Sequence, residues 1–244
     1  MRYGILGDIH GNLSALEAVL ARLSSERVDR LISVGDIVGY GAAPRECLAL
    51  VREAGAAVVM GNHDAACIDR LDMLYFNPYA REAVLWTQGV LTKDDCAWIE
   101  ALPLALHLEH CSVAHGTLYR PELFDYIQSP SDADPSLDIM LLPVCFVGHS
   151  HVPVTLLRTK DDPTRTAYTT DAEVDIEEAH RALVNVGSIG QPRDEDSRAA
   201  YAVYDAEAGK VWIRRVEYDI EREARRIQQA GLPQMLADRL YLGV

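Results

Sequence analysis

Residues 3–12 read YGILGDIHGN, a run that joins a strand signal to a helix signal through a polar turn. The apolar residues at its start predict a short buried strand, and Asn12 is a preferred residue for beginning a helix. Apolar residues then recur at helical spacing. Asp8 and His10 therefore fall in the loop that follows a strand, where α/β proteins place their binding and catalytic side chains.

The same alternation continues through the first sixty residues or so. An apolar run at residues 31–34 precedes a second helical pattern, which Pro44 can open and Gly55 can close. A third apolar run follows at residues 57–60. Strands that are joined by crossover helices pair in parallel, so this half of the chain predicts an α/β fold.

Two further segments have helical patterns. Residues 65–101 are mostly helical, with helix starts at Pro78 and at residues 92–95, and we interpret them as a helical cap inserted over the site. Residues 220–244 predict two C-terminal helices, which the sequence Gly231-Leu232-Pro233 separates.

The second half of the chain predicts mainly strands. They are expected at residues 104–108, 112–114, 144–147, 154–158, 182–186, 200–204 and 211–216. Together with a hairpin turn at residues 207–210, they favour a mixed or antiparallel sheet. Two acidic segments that contain proline, at residues 129–136 and 160–178, predict solvated loops.

The composition limits both the domain count and the partners. With 244 residues, of which 49% are hydrophobic, we expect one domain that spans residues 1–244. The net charge of −14 disfavours long nucleic acid and anionic membranes as partners. A secretory leader and a membrane-length apolar run do not stand out in the sequence, so we expect a cytoplasmic protein. The five cysteines lack CxxC spacing and predict buried free thiols.

Asp, His and Asn residues recur beside glycines along the chain. The blocks are Gly7-Asp8-Ile9-His10-Gly11, Gly35-Asp36, Gly61-Asn62-His63-Asp64, Ala114-His115-Gly116 and Gly148-His149-Ser150-His151. Oxygen and imidazole ligands suit divalent cations of hard to borderline character. Several blocks directly follow apolar runs, and glycine lets the backbone turn sharply at such strand ends. The pattern therefore predicts a metalloenzyme.

The spacing within the blocks allows two metal ions to share one cavity. Residues two apart in an extended segment point the same way, so Asp8 can act with His10, and His149 with His151. The Asp36 carboxylate can bridge two cations about 4 Å apart, a separation that suits in-line displacement at phosphorus. The negative charges of Asp8 and Asp36 neutralise only part of the charge of two divalent cations. The site therefore keeps a net positive charge, even with a bridging hydroxide. Such a site attracts phosphate even on an acidic protein.

In order and spacing, the blocks DxH, GD, GNHD, H and GHxH resemble the motifs of the calcineurin-like metallophosphoesterase superfamily over nearly the whole chain. The resemblance implies an α/β fold with four layers, an αββα sandwich of two mixed β-sheets flanked by helices. It also implies a dinuclear metal site at the strand ends and attack of a metal-bridging hydroxide at phosphorus. One metal would be held by Asp8, His10, Asp36 and His151, and the other by Asp36, Asn62, His115 and His149. His63 would be the catalytic residue that stabilises charge and protonates the leaving oxygen.

Within this superfamily the chain is most similar to the small bacterial and archaeal phosphodiesterases, of which the segment at residues 185–193 is also typical. It departs from the Ser/Thr protein phosphatases, because Gly39 and Tyr40 stand where those enzymes carry Asp-Arg, and Asp64 replaces a glutamate. The departures remove an arginine that grips phosphate and the carboxylate that orients the catalytic histidine. Asp64 can either orient His63 or begin the helix that follows the loop.

Four side chains near the motif loops are candidates for substrate binding, and each also has a structural alternative. Arg193 is the favoured candidate, since a planar guanidinium binds phosphate through two hydrogen bonds. Tyr40 and Arg120 could contact the phosphate or the organic part of the ester. Asn12 could do the same, although the helix N-cap is its favoured role.

Together these features predict a metal-dependent phosphoesterase that acts on a small phosphodiester or phosphomonoester. The alternatives are a dinucleoside tetraphosphate hydrolase, a phosphatase of proteins or small molecules and, more distantly, a non-catalytic scaffold of the same fold. Nitrogen and oxygen ligands fit Mn, Fe, Zn or Co, and we expect Mn to serve in vitro. The physiological substrate, the native metal and the oligomeric state stay open.

Overall fold

Twelve β-strands and eight α-helices form the computed structural model, which describes residues 1–244. The strands are β1 Arg2–Leu6, β2 Arg30–Ser33, β3 Ala57–Val58, β4 Ala105–His107, β5 Ser112–Ala114, β6 Val144–Val147, β7 Val154–Thr159, β8 Ala167–Thr169, β9 Glu173–Asp175, β10 Ala179–Asn185, β11 Ala199–Asp205 and β12 Lys210–Val216. The helices are α1 Leu13–Ser25, α2 Pro44–Glu53, α3 Asn62–Cys67, α4 Pro78–Val90, α5 Lys93–Glu100, α6 Pro130–Ile139, α7 Ile220–Gln229 and α8 Gln234–Leu242.

The strands pair in two six-stranded sheets. The first sheet has the order β3-β2-β1-β11-β12-β9, in which β1, β2 and β3 are parallel and the remaining pairs are antiparallel. The second has the order β4-β5-β6-β10-β7-β8, in which β5, β6 and β10 are parallel and the remaining pairs are antiparallel. Both sheets are therefore mixed, and the crossover helices α1 and α2 account for the parallel part of the first.

Alternate residues along the strands face different layers of the core. In β1, Ile5 lies in the cluster between the two sheets, whereas Leu6 lies in the cluster formed with α1 and α2. In β6, Phe146 lies between the sheets, whereas Cys145 packs with Leu137 of α6 on the outer face. The layers thus run helix, sheet, sheet, helix, and the predicted αββα sandwich is confirmed.

The loop predicted at residues 129–136 is wrong, because α6 begins there. Pro130 occupies the first turn, where its missing N–H costs nothing, and the Asp132 carboxylate accepts a hydrogen bond from the Ser129 amide at 2.8 Å. Ala133 and Leu137 form the buried face of the helix. The acidic composition that suggested a loop belongs to the solvent side of this helix and to its N-terminal cap.

The loop predicted at residues 160–178 is wrong in part. It contains the short strands β8 and β9, which lie at one edge of each sheet. Val174 is the buried residue of β9, and β8 is mostly exposed. An exposed edge strand of three residues carries no apolar alternation, so the sequence offers no signal for it.

The interior contains free cysteines and no disulfide bonds. All five cysteines are free, and Cys47, Cys67, Cys111 and Cys145 are buried. None of the helices has the length and apolar character that crossing a bilayer requires.

The C-terminal helices α7 and α8 support the loop at Tyr40. Glu223 of α7 is fully buried, and its carboxylate accepts hydrogen bonds from the Ser14 amide at 3.1 Å and from Arg226 at 2.8 Å. Leu236 and Leu240 of α8 belong to the same apolar cluster as Tyr40. The helix pair α7 and α8 therefore connects the start of α1 to the loop at Tyr40, which borders the candidate site.

Candidate metal centre

Seven side chains predicted as ligands lie buried at the ends of strands from both sheets. Asp8 and His10 follow β1, Asp36 follows β2, His115 follows β5, and His149 and His151 follow β6, while Asn62 is the first residue of α3. All seven are at most 6% exposed. The two sheets face each other, so loops that are distant in sequence meet in one place.

The side chains form two groups that meet at one carboxylate. In the first group, Asp8, His10, Asp36 and His151 each offer a ligand atom within 4.8 Å of the others. In the second, Asp36, His115 and His149 do the same. The carbonyl oxygen of Asn62 lies 3.0 Å from His115 Nε2 and extends this group. Asp36 is shared by both.

Backbone carbonyls determine which ring nitrogens face the centre. Nδ1 lies 3.1 Å from the Val38 carbonyl in His10 and 2.6 Å from the Gln191 carbonyl in His151. A carbonyl can only accept, so each Nδ1 carries the proton and each Nε2 presents a lone pair. The two Nε2 atoms are 3.0 Å apart. Two lone pairs at that distance repel each other unless a cation binds both.

The carboxylates also fit a cation. Asp8 Oδ2 and Asp36 Oδ2 are buried and have no hydrogen-bond partner. Asp36 Oδ2 lies 3.3 Å from His115 Nε2 and 3.5 Å from His10 Nε2. An unpartnered buried carboxylate oxygen is costly in a protein interior, and a divalent cation of the kind that imidazole and oxygen ligands favour removes the cost.

The charges in the cluster indicate what a cation would replace. Burial by itself would lower the pKa of His115, but the Asp36 and Asp8 carboxylates raise it to about 9. Burial would raise the pKa of Asp36, but the imidazoles of His115 and His63 hold it well below its usual range. Asp36 thus draws a proton onto His115. A bound cation would take over that role and release the proton.

The other candidate imidazoles remain neutral. Burial lowers the pKa of His10, His149 and His151 well below the ordinary value for histidine. Since only a neutral imidazole has a lone pair to give, these three rings are prepared for metal binding.

Four of the candidate ligands have a left-handed backbone. The φ angles are 49° for His10, 50° for Asp36, 68° for His149 and 63° for His151. This conformation costs a residue with a side chain about 1–2 kcal/mol. Hydrogen bonds stabilise it here: the His10 amide donates to the Asp36 carbonyl, and the His149 amide donates to Asp8 Oδ1, each at 2.9 Å. Such strain tends to concentrate at functional sites.

The segment at residues 185–193 holds the ligand loops together. Asn185 Nδ2 donates to the Gly148 carbonyl at 2.5 Å and to Ser150 Oγ at 2.9 Å. Ser188 Oγ donates to the Asp8 carbonyl at 2.7 Å. One segment therefore links the loop after β1 in the first sheet to the loop after β6 in the second.

A family model for the calcineurin-like phosphoesterase superfamily domain matches residues 1–209. The chain belongs to this superfamily. An uncharacterized protein of Methanocaldococcus jannaschii is 34% identical over 243 residues, which cover 98% of this chain and 97% of the relative. The crystal structure of a metallophosphoesterase from Sphaerobacter thermophilus is 40% identical, covers 100% of both chains and has a TM-score of 0.87.

A partial match links the calcineurin-like domain to a named activity in another protein. The symmetrical bis(5′-nucleosyl)-tetraphosphatase of Yersinia pestis is 37% identical over 108 residues, which cover 37% of this chain and 37% of that protein. The chain thus spans well under two thirds of this relative, and the match does not extend to the relative's whole structure.

In the calcineurin-like domain of this chain, His63 lies beside the two ligand groups within a set of aromatic rings. Its ring centroid is 4.4 Å from that of Tyr40, 4.9 Å from Phe76 and 4.8 Å from His10. Its backbone amide donates to Asp36 Oδ1 at 2.8 Å, while Nδ1 is buried without a partner. Burial lowers the pKa of His63 to about 4, against the opposing effect of Asp36.

Asp64 has a structural role in this arrangement. Its carboxylate accepts hydrogen bonds from the Ile37 and Val38 amides at 3.0 and 3.2 Å and from the Gly61 amide at 3.0 Å. It makes no hydrogen bond to the His63 ring, whose Nδ1 is unpartnered. Of the two roles that the sequence left open, Asp64 thus caps the start of α3 and ties it to the loop after Asp36.

The structure brings two of the four predicted substrate-binding side chains to the centre. Tyr40 contacts the His63 ring, and Arg193 Nη2 lies 3.3 Å from the Tyr40 hydroxyl. Asn12 instead accepts from the Ala15 amide and donates to the Gly190 carbonyl, each at 3.0 Å, so both ends of its amide serve the fold.

Arg120 lies near a carboxylate at the protein surface. Its guanidinium lies 3.7 Å from the Glu122 carboxylate, its side chain is 56% exposed, and it does not line the cleft beside the centre. For Arg120 and Asn12 the role of substrate ligand stays a prediction.

A cleft beside the centre contains residues that the motifs do not indicate. It is lined by Tyr40, Asn62, His63, Leu71, Asp72, Tyr75, Phe76, Asn77, Ala80, Leu123, Phe124, Tyr126 and His149. The Tyr126 ring stacks on His149 at 3.8 Å with an interplanar angle of 18°. The available signal was the aromatic pair Tyr75-Phe76 and the aromatic residues Phe124 and Tyr126, which lie outside the metal-binding motifs.

Gly39 gives a testable prediction about the position of His63. Gly39 has φ 86°, and a Cβ there would lie 2.5 Å from His63 Nδ1, so Gly39→Ala should displace the ring. Gly55 has φ 65° with nothing within 4 Å of a Cβ, and Gly55→Ala is the matched control. Each should cost about 1 kcal/mol or more in the free energy of unfolding, measured in urea, because of backbone strain. Only Gly39→Ala should shift the His63 ring signals in nitrogen-edited NMR spectra of zinc-loaded protein. Unchanged His63 signals would contradict the contact.

Proposed function

We propose that this chain is a phosphoesterase that uses two divalent metal ions to hydrolyse a small phosphodiester or phosphomonoester. The observation that carries the proposal is the position of Asp36, a buried carboxylate shared by two groups of ligand atoms. A carboxylate in that position suits the bridge of a two-metal site for in-line displacement at phosphorus. Mn, Fe, Zn and Co all fit the donor set.

The residues divide the ligation between the two sites. Asp8, His10, Asp36 and His151 would hold one ion, and Asp36, Asn62, His115 and His149 the other. When bound, the ions supply Lewis acidity toward phosphoryl oxygens and activate the attacking water.

Arg193 extends the positive field toward the substrate. Its guanidinium carbon lies 5.7 Å from the centroid of the Tyr40 ring, which in turn contacts His63. Its Nε is buried without a hydrogen-bond partner. A guanidinium with a free donor beside a metal centre can bind a phosphate oxygen, although the chain as a whole is strongly acidic.

His63 is suited to stabilise the leaving oxygen. Its Nδ1 faces the backbone of Gly39, which leaves Nε2 as the nitrogen that can face the cleft. With a pKa of about 4 the free protein holds this ring neutral at neutral pH. A bound phosphate brings negative charge and raises that pKa, so the ring can donate a proton as the oxygen leaves.

A dinucleoside tetraphosphate hydrolase is the second candidate, since the symmetrical tetraphosphatase of Yersinia pestis matches over 37% of each chain. A protein phosphatase is disfavoured by Gly39 and Tyr40, which leave no arginine in that loop. A scaffold without activity is disfavoured because every candidate ligand position and His63 are filled. We propose a small phosphate ester as the binding partner, and we expect neither long nucleic acid nor a membrane to bind.

Metal-dependent turnover tests the proposed function directly. Protein treated with a chelator should remain folded by circular dichroism but should not hydrolyse bis-p-nitrophenyl phosphate. Mn²⁺ should restore turnover and raise the melting temperature, because a ligand of the native state stabilises it. Equal turnover with and without metal would exclude the function. The same holds if Mn, Fe, Zn and Co support turnover of neither bis-p-nitrophenyl phosphate nor the monoester p-nitrophenyl phosphate.

The shared carboxylate predicts an order of mutational effects. Asp36→Asn should lose more activity than Asp8→Asn, because one neutral amide then replaces a charge that serves both ions. Its metal content, measured by plasma emission spectrometry, should fall as well. Asp8→Asn is the matched control, since it changes one buried carboxylate of the same centre in the same way. Two bound metals and full activity in Asp36→Asn would show that Asp36 is not a bridge.

The role of His63 predicts a dependence on the leaving group. His63→Gln should retain both metals and lose about 10²- to 10⁴-fold in kcat on an alkyl ester, the usual contribution of general acid catalysis. It should lose little on a p-nitrophenyl ester of the same phosphate type, because p-nitrophenolate leaves without a proton. Equal losses on both esters would indicate electrostatic stabilisation instead, and loss of a metal would make His63 a ligand.

A further inference from the structure

Two chemically different sets of side chains line the cleft beside the metal centre. Asn62 and His149 are candidate metal ligands and His63 adjoins them, whereas Tyr75, Phe76, Leu123 and Tyr126 are aromatic or apolar. Its volume of about 190 Å³ is below the roughly 300–1,000 Å³ of pockets for drug-sized ligands. The cleft therefore has room for one small group attached to the phosphate.

Three of the aromatic and apolar side chains that line the cleft are strongly exposed. Tyr75 is 94% exposed, Tyr126 48% and Leu123 45%, and all three line the same cleft. Exposed apolar side chains that converge on a concave surface mark a binding site more often than isolated ones do. The stack of Tyr126 on His149 fixes the plane of a ring beside the centre.

The polar groups of the cleft restrict the charge of the ligand that can bind there. Asp72 is the one acidic side chain among the lining residues, and no lysine or arginine lines the cleft. Asn77 Oδ1 accepts from the Ala80 amide at 2.9 Å, which leaves its amide N–H groups as donors. A second phosphate in this cleft would meet the Asp72 carboxylate and no lysine or arginine, whereas a neutral ring with amino or ring N–H groups would not be repelled.

We propose that this cleft binds a planar ring in the organic part of the ester, a nucleobase or an aryl group, against Tyr75 and Tyr126. The proposal rests on the proposed function for the placement of the phosphate at the metals. It narrows the substrate to esters with one phosphate beside a planar ring and disfavours polyphosphate chains. Stacking of a ring on aromatic side chains strengthens binding by roughly tenfold.

Phosphonates test the proposal without turnover, because phosphoester hydrolysis does not cleave their P–C bond. Calorimetric titration of the Mn-loaded protein should give phenylphosphonate a Kd about tenfold lower than that of cyclohexylphosphonate, which has the same charge and a non-planar ring. The nucleobase form is tested with 9-(2-phosphonomethoxyethyl)adenine against the same chain without adenine. Preference for the adenine compound alone indicates nucleotides, and preference for the phenyl compound alone indicates aryl esters.

Variants of exposed tyrosines locate the effect. Tyr75→Ala should reduce the preference for planar rings by about fivefold or more. It should leave methylphosphonate binding unchanged, because Tyr75 is 94% exposed and is not one of the candidate metal ligands. Tyr79→Ala is the control, since Tyr79 is 44% exposed and does not line the cleft.

Equal binding of planar and non-planar rings, no binding of any phosphonate, or an unchanged preference in Tyr75→Ala overturns the proposal. Ring preference without hydrolysis of bis-p-nitrophenyl phosphate would leave the cleft assigned and remove the proposed function. Hydrolysis without ring preference would do the reverse.

Discussion

The shared position of the Asp36 carboxylate is the constraint on which the rest of the site depends. Its Oδ1 accepts the His63 amide and thereby orients the start of α3, while its Oδ2 lies between His10 and His115 without a partner. A buried carboxylate in this state is stable only beside positive charge. Without a metal, that charge is the proton on His115, whose pKa is raised to about 9.

Close approach of backbone segments makes this arrangement possible. A Cβ at Gly61 would lie 2.0 Å from Asp36 Oδ1, so only glycine lets α3 begin against that carboxylate. Three kinds of hydrogen bond then hold the ligand loops in their left-handed conformations. Backbone carbonyls accept from the imidazoles, and the Asp64 carboxylate accepts from backbone amides. The side chains of Asn185 and Ser188 donate to the backbone of the ligand loops. These hydrogen bonds thus offset the backbone strain and hold the buried charged side chains of the centre in place.

The sequence indicates this centre well, because its ligands follow strand ends beside glycines. The residues alone indicate a metal site, and the resemblance of the blocks to the superfamily motifs implies the seven ligands and the role of His63. The structure brings these side chains together, and their roles stay proposals. The misses have a common physical cause. The start of α6 and the strands β8 and β9 lie in acidic segments, where cap geometry and edge pairing decide the structure without an apolar pattern.

The cleft explains why the proposed reaction is easier to infer from the sequence than the proposed substrate. The candidate ligands lie in strand-end loops, in which metal chemistry restricts the residue types and spacings that can occur. The aromatic side chains of the cleft include Tyr75 and Phe76 from the segment 65–101 and Tyr126 from the loop before α6. Stacking requires only a ring of suitable orientation, and many sequences supply one. If the proposed ring site is correct, substrate choice depends on the fold of two connecting segments, which short motifs do not encode, and it has to be derived from the three-dimensional arrangement.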